Sequence, residues 1–430
     1  MLAILILVGG LLFFMLLGVP VVFTLGIVSV LYMLLDSSMI FNFALIAQGM
    51  LNGINNFTLL AVPFFIFAAN VMNKGGITTR IFGFTNKLVG HLPGGLGQVN
   101  ILASIVFAGM SGSASADAAG LGSIEIKAMK DAGYDEEFSV AVTAASSIIG
   151  PIIPPSIPLV LYAVSSDTSV GALLLAGILP GLLLGAVMMI YVAIHAQRKN
   201  YPREERQSLK AIGKSFIWAF FPLLTPMILI FGILFGWFTA TEAAVVAATY
   251  ALIVSFAYGD ITLKDLPNVI HETMKLTASA VIIVTTANLY GWLILRAGIP
   301  HYAAGLISVV TLNPILTLFI VVIFLLIMGT IMDPIPAILI LTPILAPHVM
   351  SVGVDPVHFG VIMILTLMVG LITPPVGMVL YILQKVSQVP FEKIVKAVVP
   401  FFIPIFVTIV ILILFPQITL AIPNMLYKGY

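Results

Sequence analysis

The sequence predicts an all-α polytopic membrane protein built from two inverted repeats, each with a re-entrant hairpin and a broken helix. Three observations lead to this fold class: scarce charge, clustered lysine and arginine, and an internal repeat. Of the 430 residues, 61% are hydrophobic and 8% are charged, whereas about 25% of residues are charged in soluble domains. Apolar runs of about 20 residues, the length that crosses a bilayer, recur along the chain. The composition therefore excludes an ordinary water-soluble protein.

Cysteine content and net charge exclude further classes. The chain has no cysteine and a formal net charge of +1. Disulfides, thiolate nucleophiles and cysteine-ligated metals are thus excluded, and no basic surface for nucleic acid is expected. The first apolar run continues past Pro20 without a charged start or a cleavage site, so we expect a retained helix there rather than a signal peptide.

Lysine and arginine concentrate in three places, which indicate cytoplasmic loops because such loops hold the excess of positive charge. The first group brackets an apolar hairpin, the second lies at 198–214 and the third at 385–396. With these groups inside, residues 314–350 must enter and leave the membrane from the outer side as a second hairpin. Both chain termini then lie outside.

An internal repeat at a constant offset of 220 residues supports this topology. Because the charge pattern gives the two copies opposite directions, we expect inverted repeats at 1–200 and 214–430, with hairpins at about 97–130 and 314–350. Inverted repeats with interrupted helices are typical of secondary transporters, whose substrate site lies near the midplane. The matched pairs are Gly109 with Gly329, Gly133 with Gly353, Asp135 with Asp355, Gly150 with Gly370, and Pro154-Pro155 with Pro374-Pro375.

The two hairpin tips are rich in small and polar residues, at 109–117 and 329–334. Non-helical backbone at membrane depth is tolerated only where it is buried in protein or lines a cavity. Such tips offer carbonyl and hydroxyl oxygens to a cation such as Na⁺, and helix N-termini there attract an anion. The alternative interpretation is that the small residues merely permit close helix packing.

Each tip has a partner segment that contains two consecutive prolines, Gly150–Ser156 and Gly370–Pro375. Proline removes a backbone donor and clashes with the preceding turn, so a helix must break there. Two broken helices facing two hairpins would frame one cavity, although a simple proline kink is the alternative for each.

Two carboxylates, Asp117 and Asp333, lie inside apolar segments, where charge is costly unless it is paired or hydrated. We favour a binding role for Asp333, whereas structural and functional roles are evenly balanced for Asp117. Nucleotide, nucleophile and transition-metal patterns are all incomplete, so no enzymatic site is expected. Thr239 and Glu242 open a span as a helix capping box.

The tips and the Pro-Pro segments resemble the large membrane subunit of tripartite ATP-independent periplasmic (TRAP) transporters, with a weaker likeness to the sialic acid branch. The likeness extends over essentially the whole chain. The residues that carry it are Gly109–Ala114 with Asp117, Ile126–Met129, Gly133–Asp135, Gly150–Ser156, Gly329–Pro347 and Gly370–Pro375.

The resemblance implies Na⁺-driven uptake of an organic acid across the bacterial inner membrane, with periplasmic termini and no organic cofactor. It implies an elevator movement of transport elements at 57–195 and 276–421 against scaffold helices at 1–56 and 214–275. Two partners are implied besides the bilayer: a small four-helix membrane subunit (Q type) and a periplasmic substrate-binding protein (P type).

On the family pattern, the substrate contacts Ser111, Ser156 and Asp333. The residues implied around the Na⁺ ions are Gly112, Ser113, Gly150, Pro154, Gly329, Thr330, Gly370 and Thr373. Sialic acid is weakly favoured as substrate over C4-dicarboxylates and other sugar or keto acids. The alternatives are a standalone Na⁺/carboxylate symporter or anion exchanger, an intramembrane enzyme and a passive channel.

Overall fold

The computed structural model describes residues 3–36, 41–302, 305 and 311–426. Within these ranges the regular structure is helical throughout, and eight helices are long and apolar enough to cross a membrane. Large apolar side chains lie on the outside, such as Leu16, which is 83% exposed, and Ile217, which is 72% exposed. Contiguous apolar surface of this kind suits lipid rather than water. The prediction of an all-α polytopic membrane protein is confirmed, whereas the predicted positions of both termini fall outside the described residues.

The first half of the chain forms eleven described helices. They are α1 Gly10–Leu16, α2 Val21–Leu35, α3 Phe43–Ile54, α4 Ala61–Lys74, α5 Ile77–Val89, α6 Gly95–Ser111, α7 Ala114–Asp131, α8 Glu136–Ser147, α9 Ile157–Ser166, α10 Val170–Ala176 and α11 Ile178–Lys199.

The second half forms ten described helices. They are α12 Leu209–Leu234, α13 Ala240–Ala257, α14 Leu266–Arg296, α15 Pro314–Ile331, α16 Pro334–Ser351, α17 Pro356–Val369, α18 Met378–Ser387, α19 Phe391–Val398, α20 Phe402–Leu414 and α21 Gln417–Leu426.

Both hairpins lie where the sequence predicts them. In the first, α6 and α7 are joined by Gly112 and Ser113, and in the second α15 and α16 are joined by Met332 and Asp333. Helix α7 begins at residue 114 and α16 at residue 334, a difference of 334 − 114 = 220, and their ends differ by 351 − 131 = 220. The repeat found in the sequence is thus a repeat of helix boundaries.

The two broken helices follow the same plan. Helix α8 ends at Ser147 and its continuation α9 begins at Ile157, while α17 ends at Val369 and α18 begins at Met378 after a short 3₁₀ turn. Each break contains a cis Pro-Pro peptide bond, at 154–155 and at 374–375. The prediction of two broken helices is confirmed over a simple kink, because turns and bends separate the two halves of each helix.

Packing between the repeats is reciprocal. The returning limb of the first hairpin, α7, packs against α18, and the returning limb of the second, α16, packs against α9. Each hairpin therefore rests on the far half of the other repeat's broken helix. Helix α14 packs on α2, α3, α4 and α16 and so joins the outer helices to the second hairpin. The division into scaffold and transport elements stays a prediction.

Two terminal segments depart from the expected continuous spans. The first apolar run is two helices, because Gly18 adopts a left-handed conformation (φ +79°) and Pro20 precedes the first turn of α2. The predicted last span, 398–421, is likewise divided between α20 and α21 at Pro416. Proline cannot donate the hydrogen bond that would carry either helix through.

The predicted capping box at the start of α13 is confirmed. The hydroxyl of Thr239 accepts from the backbone N–H of Glu242 at 3.3 Å, and the Glu242 carboxylate accepts from the Thr239 N–H at 2.8 Å. Glu242 is therefore a capping residue at the surface.

Candidate functional site

A cavity of about 90 Å³ lies where the tips of the two hairpins meet. Three of the predicted site residues, Gly112, Ser113 and Asp333, line it together. Pro151 from the first break and Leu371 from the second also line the cavity. The remaining lining residues are Ala114, Ser115, Ile157, Pro158, Pro334, Ile335 and Met368. The sequence prediction that hairpins and breaks frame one cavity is confirmed.

Three helix N-termini reach this cavity, because the first-turn residues of α7, α9 and α16 all belong to its wall. Each N-terminus carries the positive end of a helix dipole, equivalent to about half an elementary charge. Backbone N–H groups in the first turn have no partner within the helix. The arrangement therefore favours a negatively charged group inside the cavity.

The N-caps of α7 and α16 are repeat equivalents with different chemistry, Ser113 and Asp333. The Ser113 hydroxyl accepts from the N–H of Ala116 at 3.4 Å, and Oδ1 of Asp333 accepts from the N–H of Ile335 at 3.1 Å. Both residues are half-buried at the cavity. A hydroxyl and a carboxylate therefore face the same space from opposite hairpins.

Behind the first tip, the backbone of the hairpin lies directly on the first break. Gly112 is left-handed (φ +59°), and a Cβ at this position would overlap the carbonyl group of Pro155. A Cβ on Gly150 would lie 3.3 Å from the backbone carbon of Ser113, and one on Gly109 would lie 3.8 Å from the carbonyl oxygen of Pro154. The predicted Na⁺ residues of the first repeat therefore form one compact cluster.

The second tip and the second break form the corresponding cluster. Gly329 and Gly370 are in such close contact that a Cβ on Gly370 would overlap the Gly329 carbonyl group. The backbone N–H of Val376 donates to the carbonyl oxygen of Thr330 at 3.4 Å. The hydroxyls of Thr330 and Thr373 each donate to a helix carbonyl, at 2.8 and 2.7 Å. The four predicted Na⁺ residues of this repeat are thus brought together as well.

Two predicted substrate residues, Ser111 and Ser156, do not line the cavity. The Ser156 hydroxyl donates to the carbonyl oxygen of Pro151 and accepts from the N–H of Leu159, so it holds the break and caps α9. Ser111 is 1% exposed, and among the described residues its hydroxyl has no hydrogen-bond partner. Their assignment to the substrate stays a prediction, and in this conformation Asp333 is the one of the three on the cavity wall.

A buried polar seam, formed by Asn100, Ser104, Thr143 and Ser146, joins the first hairpin to α8. Asn100 donates to Thr143 at 2.7 Å, Ser146 donates to Asn100 at 2.8 Å, and Ser104 donates to Ser146 at 3.1 Å. Asp117, on α7, is 2% exposed, and its Oδ2 has no hydrogen-bond partner among the described residues. Asp117 does not line the cavity between the tips.

Arg80 is a buried ion-pairing residue rather than a loop charge. Its guanidinium forms a bidentate pair with Asp260, with Nη2 at 3.2 Å from Oδ1, and Nη1 also donates to the carbonyl oxygen of Gly75 at 3.2 Å. The guanidinium carbon lies 4.0 Å from the ring centre of Tyr258 and 5.1 Å from that of Trp218. This group ties α5 to α12 and to the end of α13, a link that charge counting does not reveal.

The chain matches the model of the family described as "Tripartite ATP-independent periplasmic transporter, DctM component" over residues 8–418. It is 45% identical to the sialic acid TRAP transporter large permease protein SiaM of Vibrio cholerae, over 96% of each chain. It is 40% identical to the C4-dicarboxylate TRAP transporter large permease protein DctM of Pseudomonas aeruginosa, over 86% of this chain and 87% of the relative. It is 38% identical to the 2,3-diketo-L-gulonate TRAP transporter large permease protein YiaN of Escherichia coli, over 97% and 98% of the chains.

The fold also matches a solved structure, that of the YdaH transporter of Alcanivorax borkumensis. The TM-score is 0.68 over 90% of this chain and 91% of that chain, at 13% sequence identity. At this identity the likeness shows the fold alone. The relatives of higher identity are transporter permeases, not enzymes, as the incomplete catalytic patterns predict. This chain belongs to the DctM family, the large permease component of the tripartite ATP-independent periplasmic transporters.

Proposed function

We propose that this chain takes up an organic acid by coupling its inward movement to Na⁺, with the cavity between the hairpin tips as the substrate site. The convergence of three helix N-termini on that cavity carries the proposal, because they favour the carboxylate that organic acids share. Asp333 adds a carboxylate that accepts hydrogen bonds from hydroxyl groups of the substrate.

The substrate class is an organic acid with hydroxyl or keto groups. Relatives of 38–45% identity are named for sialic acid, C4-dicarboxylate and 2,3-diketo-L-gulonate, and all three present a carboxylate. The relative named for sialic acid has the highest identity of these three, which supports sialic acid weakly. The cavity of about 90 Å³ is smaller than typical ligand pockets of about 300–1,000 Å³. Substrate binding therefore requires the two hairpin tips to move apart.

Na⁺ fits the two tip clusters because unwound backbone and hydroxyl groups are its usual ligands in broken-helix transporters. Ser113, which lines the cavity beside Gly112, supplies a hydroxyl oxygen in the first cluster. Thr330 and Thr373 supply hydroxyls in the second. Each net positive charge that moves inward gains about 2.3 kcal/mol per 100 mV of membrane potential. A few ions per anion therefore drive accumulation without ATP.

The family name describes a tripartite system, and we infer two partners, a small membrane subunit and a periplasmic substrate-binding protein. The alternative is a standalone symporter or exchanger. Reconstitution in proteoliposomes separates them: uptake of labelled sialic acid is expected only with both partners and an inward Na⁺ gradient. Robust uptake by this chain alone would contradict the tripartite mechanism, and uptake that persists in K⁺ would contradict Na⁺ coupling.

Replacing Ser113 or Thr330 with alanine is expected to raise the Na⁺ concentration for half-maximal uptake several-fold, because each change removes a hydroxyl from a tip cluster. Ser208→Ala is the matched control for Ser113, since Ser208 caps α12 with the same geometry, 3.3 Å to the N–H of Ala211, at an exposed position. Loss of a cap alone costs about 1 kcal/mol in either helix. Equal Na⁺ dependence in Ser113→Ala and Ser208→Ala would place the cation elsewhere.

Replacing Asp333 with alanine is expected to reduce substrate uptake at least ten-fold with little change in Na⁺ dependence. Asp355→Ala is the control, because Asp355 caps α17 in the same manner, with 2.8 Å from Oδ1 to the N–H of Val357, and does not line the cavity. Substrate titrations of uptake distinguish the two variants. If Asp355→Ala reduces uptake as much as Asp333→Ala does, the effect comes from helix capping and the assignment of Asp333 is wrong.

A further inference from the structure

Glu125 lies on α7, the returning limb of the first hairpin, and is fully buried with 0% exposure. Both of its carboxylate oxygens lack a hydrogen-bond partner among the described residues. The residue lies 12 positions beyond Ser113 (125 − 113) and does not line the cavity between the tips. Neither the proposed substrate site nor the proposed Na⁺ clusters use it.

The residues one turn before Glu125 on α7 pack against side-chain carbon. Leu121, one turn earlier, is fully buried in a core cluster with Phe107. A Cβ on the neighbouring Gly122 would lie 3.1 Å from the methyl carbon of Thr143 and 3.2 Å from Leu383. The segment of α7 that carries Glu125 is therefore closely packed, and the Glu125 carboxylate is buried there without a hydrogen-bond partner among the described residues.

The charged groups on the helices that pack against α7 do not neutralise Glu125. Helix α6 contains no charged residue. On α8, Glu136 pairs with Lys130 and Glu137 pairs with Lys393. On α5, Arg80 pairs with Asp260, and Lys87 lines a surface pocket beside Arg206. On α18, Lys385 is exposed. Asp117, eight residues earlier on α7, is a second buried acid and brings no positive charge.

An ionised carboxylate in this position would be unfavourable by several kcal/mol, because burial without a partner removes its hydration. A second acid nearby increases this penalty. A transition-metal ion does not resolve it, since the described residues contain no group of three His, Cys, Asp or Glu side chains that would share one. Both carboxylate oxygens of Glu125 lack a partner among the described residues, whereas Asp117 has one such oxygen, Oδ2. A bound proton removes the charge without any further ligand.

We propose that Glu125 is a proton-binding site of the first hairpin, neutral in this conformation and separate from the cation clusters at the tips. The carboxylate takes up one proton to form a carboxylic acid and releases it when movement of the hairpin exposes the side chain to water. Proton binding at Glu125 goes beyond the proposed function, because it requires neither Na⁺ coupling nor a particular substrate.

Infrared spectroscopy of the purified chain tests the protonation state directly. The wild-type protein is expected to show a carbonyl band of a protonated carboxylic acid that shifts in D₂O and is absent from Glu125→Gln. Glu272→Gln, at an exposed position of α14, should retain the band. Identical spectra of wild type and Glu125→Gln near neutral pH would overturn the proposal, as would loss of the band on replacing K⁺ with Na⁺, which would make Glu125 a sodium ligand.

Thermal unfolding supplies a second readout that does not depend on transport. Glutamate in an unfolded chain ionises near pH 4.3. If Glu125 stays neutral in the folded chain, the folded protein therefore loses stability as the pH rises above this value, because ionisation favours the unfolded chain. Between pH 5 and pH 8 the Tm of Glu125→Gln should therefore rise by about 2 °C relative to the Tm of wild type. Glu125→Leu serves if the glutamine variant does not accumulate. A Tm difference that is constant with pH, or moves in favour of wild type, would overturn the proposal.

Discussion

Replacing Gly370 with alanine is expected to abolish uptake and to destabilise the protein by at least about 3 kcal/mol, the upper end of overpacking effects. The added methyl group would overlap the carbonyl group of Gly329. Because the obstacle is backbone, no change of rotamer relieves it. The second hairpin must therefore separate from the second break, and the predicted cation cluster between them is lost.

Gly213→Ala is the matched control for this substitution. Gly213 lies in α12 at an exposed position, and a Cβ there meets nothing within 4 Å. Alanine at such a helical position is neutral or stabilising by about 0.5–1 kcal/mol. Uptake assays and thermal unfolding of both variants separate the steric effect from the general effect of the exchange. Near wild-type uptake by Gly370→Ala would show that the tip and the break are not in contact in the working protein.

Replacing Arg80 with alanine is expected to destabilise the protein by about 3 kcal/mol. The side chain of Arg80 is 10% exposed and that of Asp260 is 22% exposed, so removal of the guanidinium leaves a largely buried carboxylate unpaired. Contacts with the rings of Tyr258 and Trp218 are lost at the same time. Thermal unfolding should show the loss, with Arg80→Lys intermediate because lysine retains the charge but not the bidentate geometry.

The exposed pair between Lys393 and Glu137 provides the comparison for Arg80. These side chains are 61% and 41% exposed at an N–O distance of 3.2 Å, and solvent-exposed pairs contribute less than about 1 kcal/mol. Lys393→Ala should therefore leave the Tm nearly unchanged. If both substitutions have equal effects, burial does not decide the strength of the Arg80 pair.

The hairpins and breaks could be predicted from the sequence because local chemistry determines them. Glycine and paired prolines interrupt a helix wherever they stand, and the 220-residue offset identifies the same interruption twice. Gly112 and Gly370 had to be glycine for a reason that spacing alone only suggests: backbone from another segment occupies the space of a side chain. The structure supplies that reason.

Long-range pairing could not be predicted in the same way. Arg80 and Asp260 are 180 residues apart, and as isolated charges they indicate only the side of the membrane. Glu125 lies close in sequence to Lys127 and Lys130, a pattern typical of an exposed helix end, although the Glu125 side chain is fully buried. Tertiary packing decides both the partner of Arg80 and the burial of Glu125, and the sequence pattern does not contain that packing.

The two hairpins are structurally equivalent, but the N-caps of their returning helices differ in chemistry. Position 113 and its counterpart 333 occupy equivalent places, yet one presents a neutral hydroxyl and the other a carboxylate. If the two halves had identical N-caps, a substrate could bind in either of two orientations related by the pseudo-symmetry of the inverted repeats. Because the N-caps differ, a substrate whose two ends differ has one preferred orientation. A single pair of residues therefore allows the repeated architecture to distinguish the two ends of the substrate.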